Sequence, residues 1–170
     1  TIFLYNASFK GMYAIHSASV LYKDKAWLFS GHSGAGKSTH TNMWKELFNT
    51  PVINGDLNLI DINTTDGIPV VIGIPWCGTS GIYTSRSYPL GGITFIKKDI
   101  TDQVRRIDGD DAVLSIAQRM ISPCWNTRLL ENNLAASEKI AAGIIVFRLC
   151  CTKNPSSAFL MKEEIDNEYH

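Results

Sequence analysis

The sequence predicts an α/β fold with a mixed sheet, one helix embedded early behind a glycine-rich turn, and further helices gathered late. Three observations predict it. Short runs rich in β-branched and aromatic residues recur up to residue 98. The stretch "LFSGHSGAGKSTHTNMW" at 28–44 passes from an apolar strand through three glycines into an amphipathic helix. The last third then changes to helical periodicity. Several strand candidates are joined too tightly for helical crossovers, which requires antiparallel pairs in the sheet.

Taken in order, "TIFLY", "MYAIHSASVLY" and "AWLFS" read as strands. The glycine turn follows, then a helix from about Lys37 to Phe48, in which Met43/Leu47 and Trp44/Phe48 at i, i+4 spacing define a buried face. "TPVIN", "LNLIDIN", "IPVVIGIP" and "GGITFIKK" are four more strand candidates. Arg105 and Arg106 read as a solvated stretch ahead of the helix "DDAVLSIAQRMIS", which Pro123 ends. "NTRLLENNLAASEKIAAG" is a second late helix closed by Gly143, "IIVFRLCC" is a strand, and Asn154 with Pro155 starts a final helix through Ile165.

Composition narrows the function. The 170 residues suffice for one domain with a proper core, with 45% apolar and 19% charged residues. Sixteen basic side chains balance sixteen acidic ones, which argues against a nucleic-acid binder that works by phosphate neutralisation. No apolar run reaches membrane-spanning length and no secretion signal is visible, so a cytoplasmic protein is expected. The chain opens on Thr1 rather than Met, which leaves room for residues ahead of it. Cys77, Cys124, Cys150 and Cys151 have neither zinc-knuckle spacing nor a disulfide pattern, and read as reduced packed thiols.

"GHSGAGKS" fits G-x-x-x-x-G-K-[ST] at Gly31, Gly36, Lys37 and Ser38, after a strand and before a helix as the motif requires. A polyphosphate needs several converging backbone N–H donors, and glycines permit the close approach. Residues Gly31, His32, Ser33, Gly34, Ala35, Gly36, Lys37, Ser38 and Thr39 are therefore the expected nucleotide-binding segment. Lys37 would bridge the outer phosphates, and the Ser38 hydroxyl would ligate Mg²⁺. ATP and GTP are not separated by any visible base-reading motif. His32 in the loop and His40 on the helix could each touch phosphate.

A phosphoryl-transfer site also needs a carboxylate for the metal and a base for the acceptor hydroxyl. Asp56, in "PVINGDLNLI", is the candidate for both. Locally, Asn-Gly between two apolar runs is also a strong hairpin signal. The two readings are compatible, because a turn at a strand end can present a carboxylate to a loop-bound metal. Asp61 is peripheral. His16 on its apolar strand reads, by itself, as a satisfied core residue.

Residues 12 to 63, and beyond them the whole chain, resemble the catalytic domain of HPr kinase/phosphorylase. The resemblance rests on "IHSASVLYKDKAWLFSGHSGAGKS", which places His16 fifteen residues before Gly31, and on the strand that ends at Asp56. It implies a P-loop fold related to phosphoenolpyruvate carboxykinase, spanning 1–170 as one nucleotide-binding domain, and a histidine at position 16 that supports the catalytic aspartate. It also makes a homo-oligomer plausible. The closing "IIVFRLCCTKNPSSAFLMKEEI" resembles the free-standing small proteins of this type. The family's aspartate pair falls on Gly55 and Asp56, so a single carboxylate remains here.

In "GIPWCGTSGIYTSRSYPLGGITFI", the Pro-Trp and glycines suit a loop over a bound nucleotide or acceptor, with Trp76 either packed or stacked on a ligand. Similar small proteins carry a lysine after "PWxG" where Thr79 stands. Arg86 could supply that charge to a transferring phosphoryl group, or be an ordinary surface arginine. The expectation is an ATP-dependent, Mg²⁺-using phosphotransferase. Its catalytic residues would be Asp56, His16 and Lys37, with Ser38 and Asp56 on the metal. The acceptor would be a hydroxyl on a protein, peptide or small molecule. The lone aspartate and Thr79 keep open a regulatory nucleotide-binding module without turnover. Carboxykinase-type chemistry finds no His/Lys/Asp set for its second metal.

Overall fold

The computed structural model describes residues 2–73 and 86–168. Trp76, Cys77 and Thr79, and with them the proposed covering loop, lie outside the described residues. The described elements run α1 (Ile2–Phe9), β1 (Met12–Tyr22), β2 (Lys25–Ser30), α2 (Lys37–Phe48), β3 (Val52–Asn54), β4 (Leu57–Asp61), β5 (Val70–Ile72) and β6 (Tyr88–Lys98). They continue with β7 (Gln103–Ile107), α3 (Gly109–Arg119), α4 (Thr127–Gly143), β8 (Ile145–Cys151) and α5 (Pro155–Asn167). No helix among the described residues is long and apolar enough to cross a membrane.

The sheet is mixed. β1 is antiparallel to β2, β3 and β4, whereas β6 is parallel to both β2 and β8, and β7 returns antiparallel on β8. β1 and β6 are eleven residues each, long enough for each to pair with three strands. Their pairings with β2, β4 and β5 form a closed circuit. The parallel strands are buried on both faces, which explains the unbroken apolar runs "AWLF" and "IVF". One core lies under α3 and α4 around Ile15, Leu28, Ile93, Ile116 and Ile140. A second lies under α2 and α5 around Phe29, Trp44, Phe147 and Met161. A smaller third joins Leu4 and Ala7 of α1 to Leu57 and Leu59.

Three expectations are corrected. "TIFLY" was expected as a strand, but Ile2–Phe9 is helical. Both edges of β1 are already taken, by β2 on one side and by β4 and β3 on the other, so this segment satisfies its backbone groups internally as a helix. The Asn-Gly step does not reverse the chain. β3 and β4 lie end to end along one edge of β1: Ser19 opposite Asn54 and His16 opposite Leu57 share one register, which shifts by a residue only at Val20, opposite Val52. Gly55 is not among the glycines at positive φ, which a type I′ turn would demand. Arg105 and Arg106 are exposed ahead of α3, as expected of a solvated stretch; they lie on β7 and pair with Asp111 and Glu168. On α2 the buried residues are His40, Thr41 and Trp44, while Leu47 is exposed. The face turns this way because Trp44 packs on Phe29, Tyr22 and Phe48.

Candidate functional site

The parallel strands β2, β6 and β8 end at one edge, and β3, antiparallel to β1, points the same way. Ligands of open α/β sheets bind at this edge. Here the chain leaves β2 at Ser30, runs through the glycine loop and starts α2 at Lys37. Two glycines are required by geometry. A Cβ on Gly31 would meet the Ile96 carbonyl oxygen at 2.7 Å, and Gly36, the residue before the helix, holds φ 102°. No side chain caps α2, so its first amides are left to a ligand or solvent.

The loop separates two clefts. The first is lined by His16, Gly36, Lys37, Ser38, Thr39, Gly55 and Asp56, with Lys98 and Lys153 on its rim. The structure thus brings together His16, Lys37, Ser38 and Asp56 from β1, α2 and the β3–β4 junction. The Lys37 Nζ donates to the carbonyls of Gly31 and His32, each at 3.2 Å. Burial, reinforced by Arg119, pushes the Lys37 ammonium below its usual range, and Asp56 opposes this. His16 is lowered first by burial and then by Lys37, with Asp56 again opposing. It is therefore a neutral imidazole near pH 7. Cations crowded in this way gain from a bound anion.

Asp56 is held by its backbone. The Asn54 side-chain oxygen accepts from the N–H groups of Asp56 (2.9 Å) and Leu57 (3.0 Å), and the Asp56 carbonyl accepts from Ser17 N–H (3.1 Å). Asn54 N–H donates to Ser19 Oγ, which donates to Asn58 Oδ1 at 2.7 Å; Asn58 Nδ2 donates to Ser17 O and Oγ, both at 2.9 Å. This buried set of Ser17, Ser19, Asn54 and Asn58 shapes the site without touching it. Ser38 and Asp56 supply two oxygen donors, and no cluster of three or more metal-binding side chains exists among the described residues. Such a pair fits an ion that takes its remaining ligands from water and phosphate, as Mg²⁺ does.

The second cleft, a cavity of about 580 Å³, lies across the loop against Phe95, Lys97, Lys98, Gln118, Arg119 and Arg148. His32 is exposed at its wall. Arg119, the last residue of α3, reaches the Gly31 carbonyl at 3.5 Å and was not foreseen. A basic residue in the last turn of a helix reads as a dipole partner, which hid it. Arg86 is exposed and lines neither cleft. His40 is 1% exposed, accepts from Trp44 Nε1–H at 3.0 Å, and is pushed by burial down to about 4. It belongs to the core and not to the ligand site.

No protein-family model matches the sequence, and no curated protein matches it. Among solved structures, the chain is similar to the HPr(Ser) kinase/phosphatase from Coxiella burnetii, at 10% identity and a TM-score of 0.48. That alignment covers 92% of this chain and 95% of the other.

Proposed function

We propose that the protein is an ATP-dependent phosphotransferase that moves the γ-phosphoryl group to a hydroxyl acceptor. The observation that carries this is the convergence of Lys37, Ser38, Asp56 and His16 in one cleft on the glycine loop. The amides of residues 31–39 hold the phosphates and Lys37 bridges the outer two. Ser38 and Asp56 would hold Mg²⁺, whose charge offsets that of the phosphates. Asp56 accepts the proton of the attacking hydroxyl, and neutral His16 orients the carboxylate. Much of the acceleration comes from positioning and charge neutralisation.

The test combines two variants. Lys37→Ala should weaken Mg·ATP binding by about tenfold or more, because it removes a charge-assisted contact to two phosphates. Asp56→Asn should leave binding within a few-fold and abolish transfer of label from γ-labelled ATP into an extract. Tight ATP binding with no labelled product from the native protein selects the regulatory-module reading, which the glycine at position 55 favours. Full transfer by Asp56→Asn removes the assignment of the base.

A further inference from the structure

The cavity on the far side of the loop is lined by four cations and no carboxylate. Arg148 is compensated from behind by Asp111, at 3.0 and 3.1 Å. Lys97, Lys98 and Arg119 have no acidic partner among the described residues, in a chain whose formal charge is zero. Neighbours on β6 alternate faces, so Lys97 shares the side of Phe95, under α3, and Lys98 leans across the loop toward α2. Arg119 rides on a fixed support: Met120 bridges Ile15, and Ile121 N–H donates to Ala14 O at 2.9 Å. The planar guanidinium fork is pre-organised, so less entropy is lost for each hydrogen bond it makes to an anion.

The cavity also adjoins the cleft that holds the candidate catalytic groups. The loop lysine reaches the outer phosphates, and its Nζ rests on the carbonyls of Gly31 and His32. Gly31 and His32 line this cavity, and Ser33, Gly34 and Lys98 line both it and the first cleft. The two clefts are therefore continuous over Ser33 and Gly34, and a molecule anchored by Lys97 and Arg119 can extend its hydroxyl into the first cleft, where Lys37 and Asp56 stand.

Resting on the phosphotransferase reading above, the geometry points to a specific acceptor class: a small hydroxyl compound that carries a carboxylate or phosphate, held by Lys97 and Arg119. The volume is that of a small-molecule site. In the reaction the acceptor oxygen bonds to the γ-phosphorus and the bond from that phosphorus to the β–γ bridging oxygen breaks. ADP leaves, and the proton of the hydroxyl, which reaches into the first cleft, passes to Asp56 there.

The experiment titrates three probes into the full chain loaded with Mg²⁺ and a nonhydrolysable ATP analogue: glycerate, 3-phosphoglycerate and neutral glycerol. Binding of at least one anionic probe, about tenfold or more tighter than glycerol, is expected. Which of the two binds identifies the carboxylate or the phosphate as the recognised group. Lys97→Gln and Arg119→Gln should each weaken it by about fivefold to tenfold. Lys97→Gln should keep analogue affinity within about threefold, because Lys97 lies off the loop-helix cleft. Equal binding of all three probes, unchanged binding by Lys97→Gln, or displacement of the analogue by the anions overturns the inference. A fourth titration, with an acidic peptide, overturns it if the peptide binds and the small anions do not. Failure of the nucleotide reading shows separately, as an analogue titration without binding.

Discussion

Asn54→Ala tests how the carboxylate is held. Asn54 Oδ1 accepts two backbone N–H bonds, from Asp56 at 2.9 Å and Leu57 at 3.0 Å, on a side chain that is 3% exposed. Each such bond contributes about 1 kcal/mol net, so truncation should cost about 2 kcal/mol. For a chain of this size that corresponds to a fall in Tm of about 4–8 °C. The released segment carries Asp56, so transfer activity should fall more steeply than ATP affinity, which depends on the loop and Lys37. Calorimetry with parallel nucleotide titration and turnover measures all three. Ser19→Ala breaks the same network through Asn54 N–H and Asn58, so the double variant should lose less than the sum of the singles. A Tm shift under about 1 °C, or additive losses, would refute the account of how the aspartate is placed.

Two further outcomes follow from the geometry. His40 is neutral in the fold, with its pKa lowered to about 4 from an unfolded value of 6.5, so the unfolded chain gains the proton first as pH falls. Stability is full above the unfolded value and lost down to about 4; between pH 7 and 5 the loss should be about 2 kcal/mol. Urea melts of the wild type and His40→Asn check this, since an equal pH slope in both would exclude His40 as the source. Gly31→Ala places a Cβ at 2.7 Å from the Ile96 carbonyl, so the loop must shift. Nucleotide affinity should drop by about tenfold or more, and native affinity in that variant would show that the approach is not required.

The sequence by itself determined the features that depend on neighbours along the chain. The glycine loop, the start of α2 at Lys37, the long β1 and the α5 start at Pro155 follow from the steric freedom of glycine, periodicity and the fixed φ of proline, which act over a few residues. The mixed character of the sheet was legible too, because connection lengths limit crossovers. Tertiary structure alone decided what depends on competition for partners. Asn54-Gly55 carries a hairpin signal, yet the free edge of β1 offers more hydrogen bonds to a straight path, and the straight path delivers Asp56 to the loop. Residues 2–9 have strand composition but no open edge to join, and so coil. Arg119 enters the site because β1 anchors the end of α3 some hundred residues away in sequence, at Ala14 and Ile15. Local pattern carries no information about such contacts, because their energy is realised only once the sheet has formed.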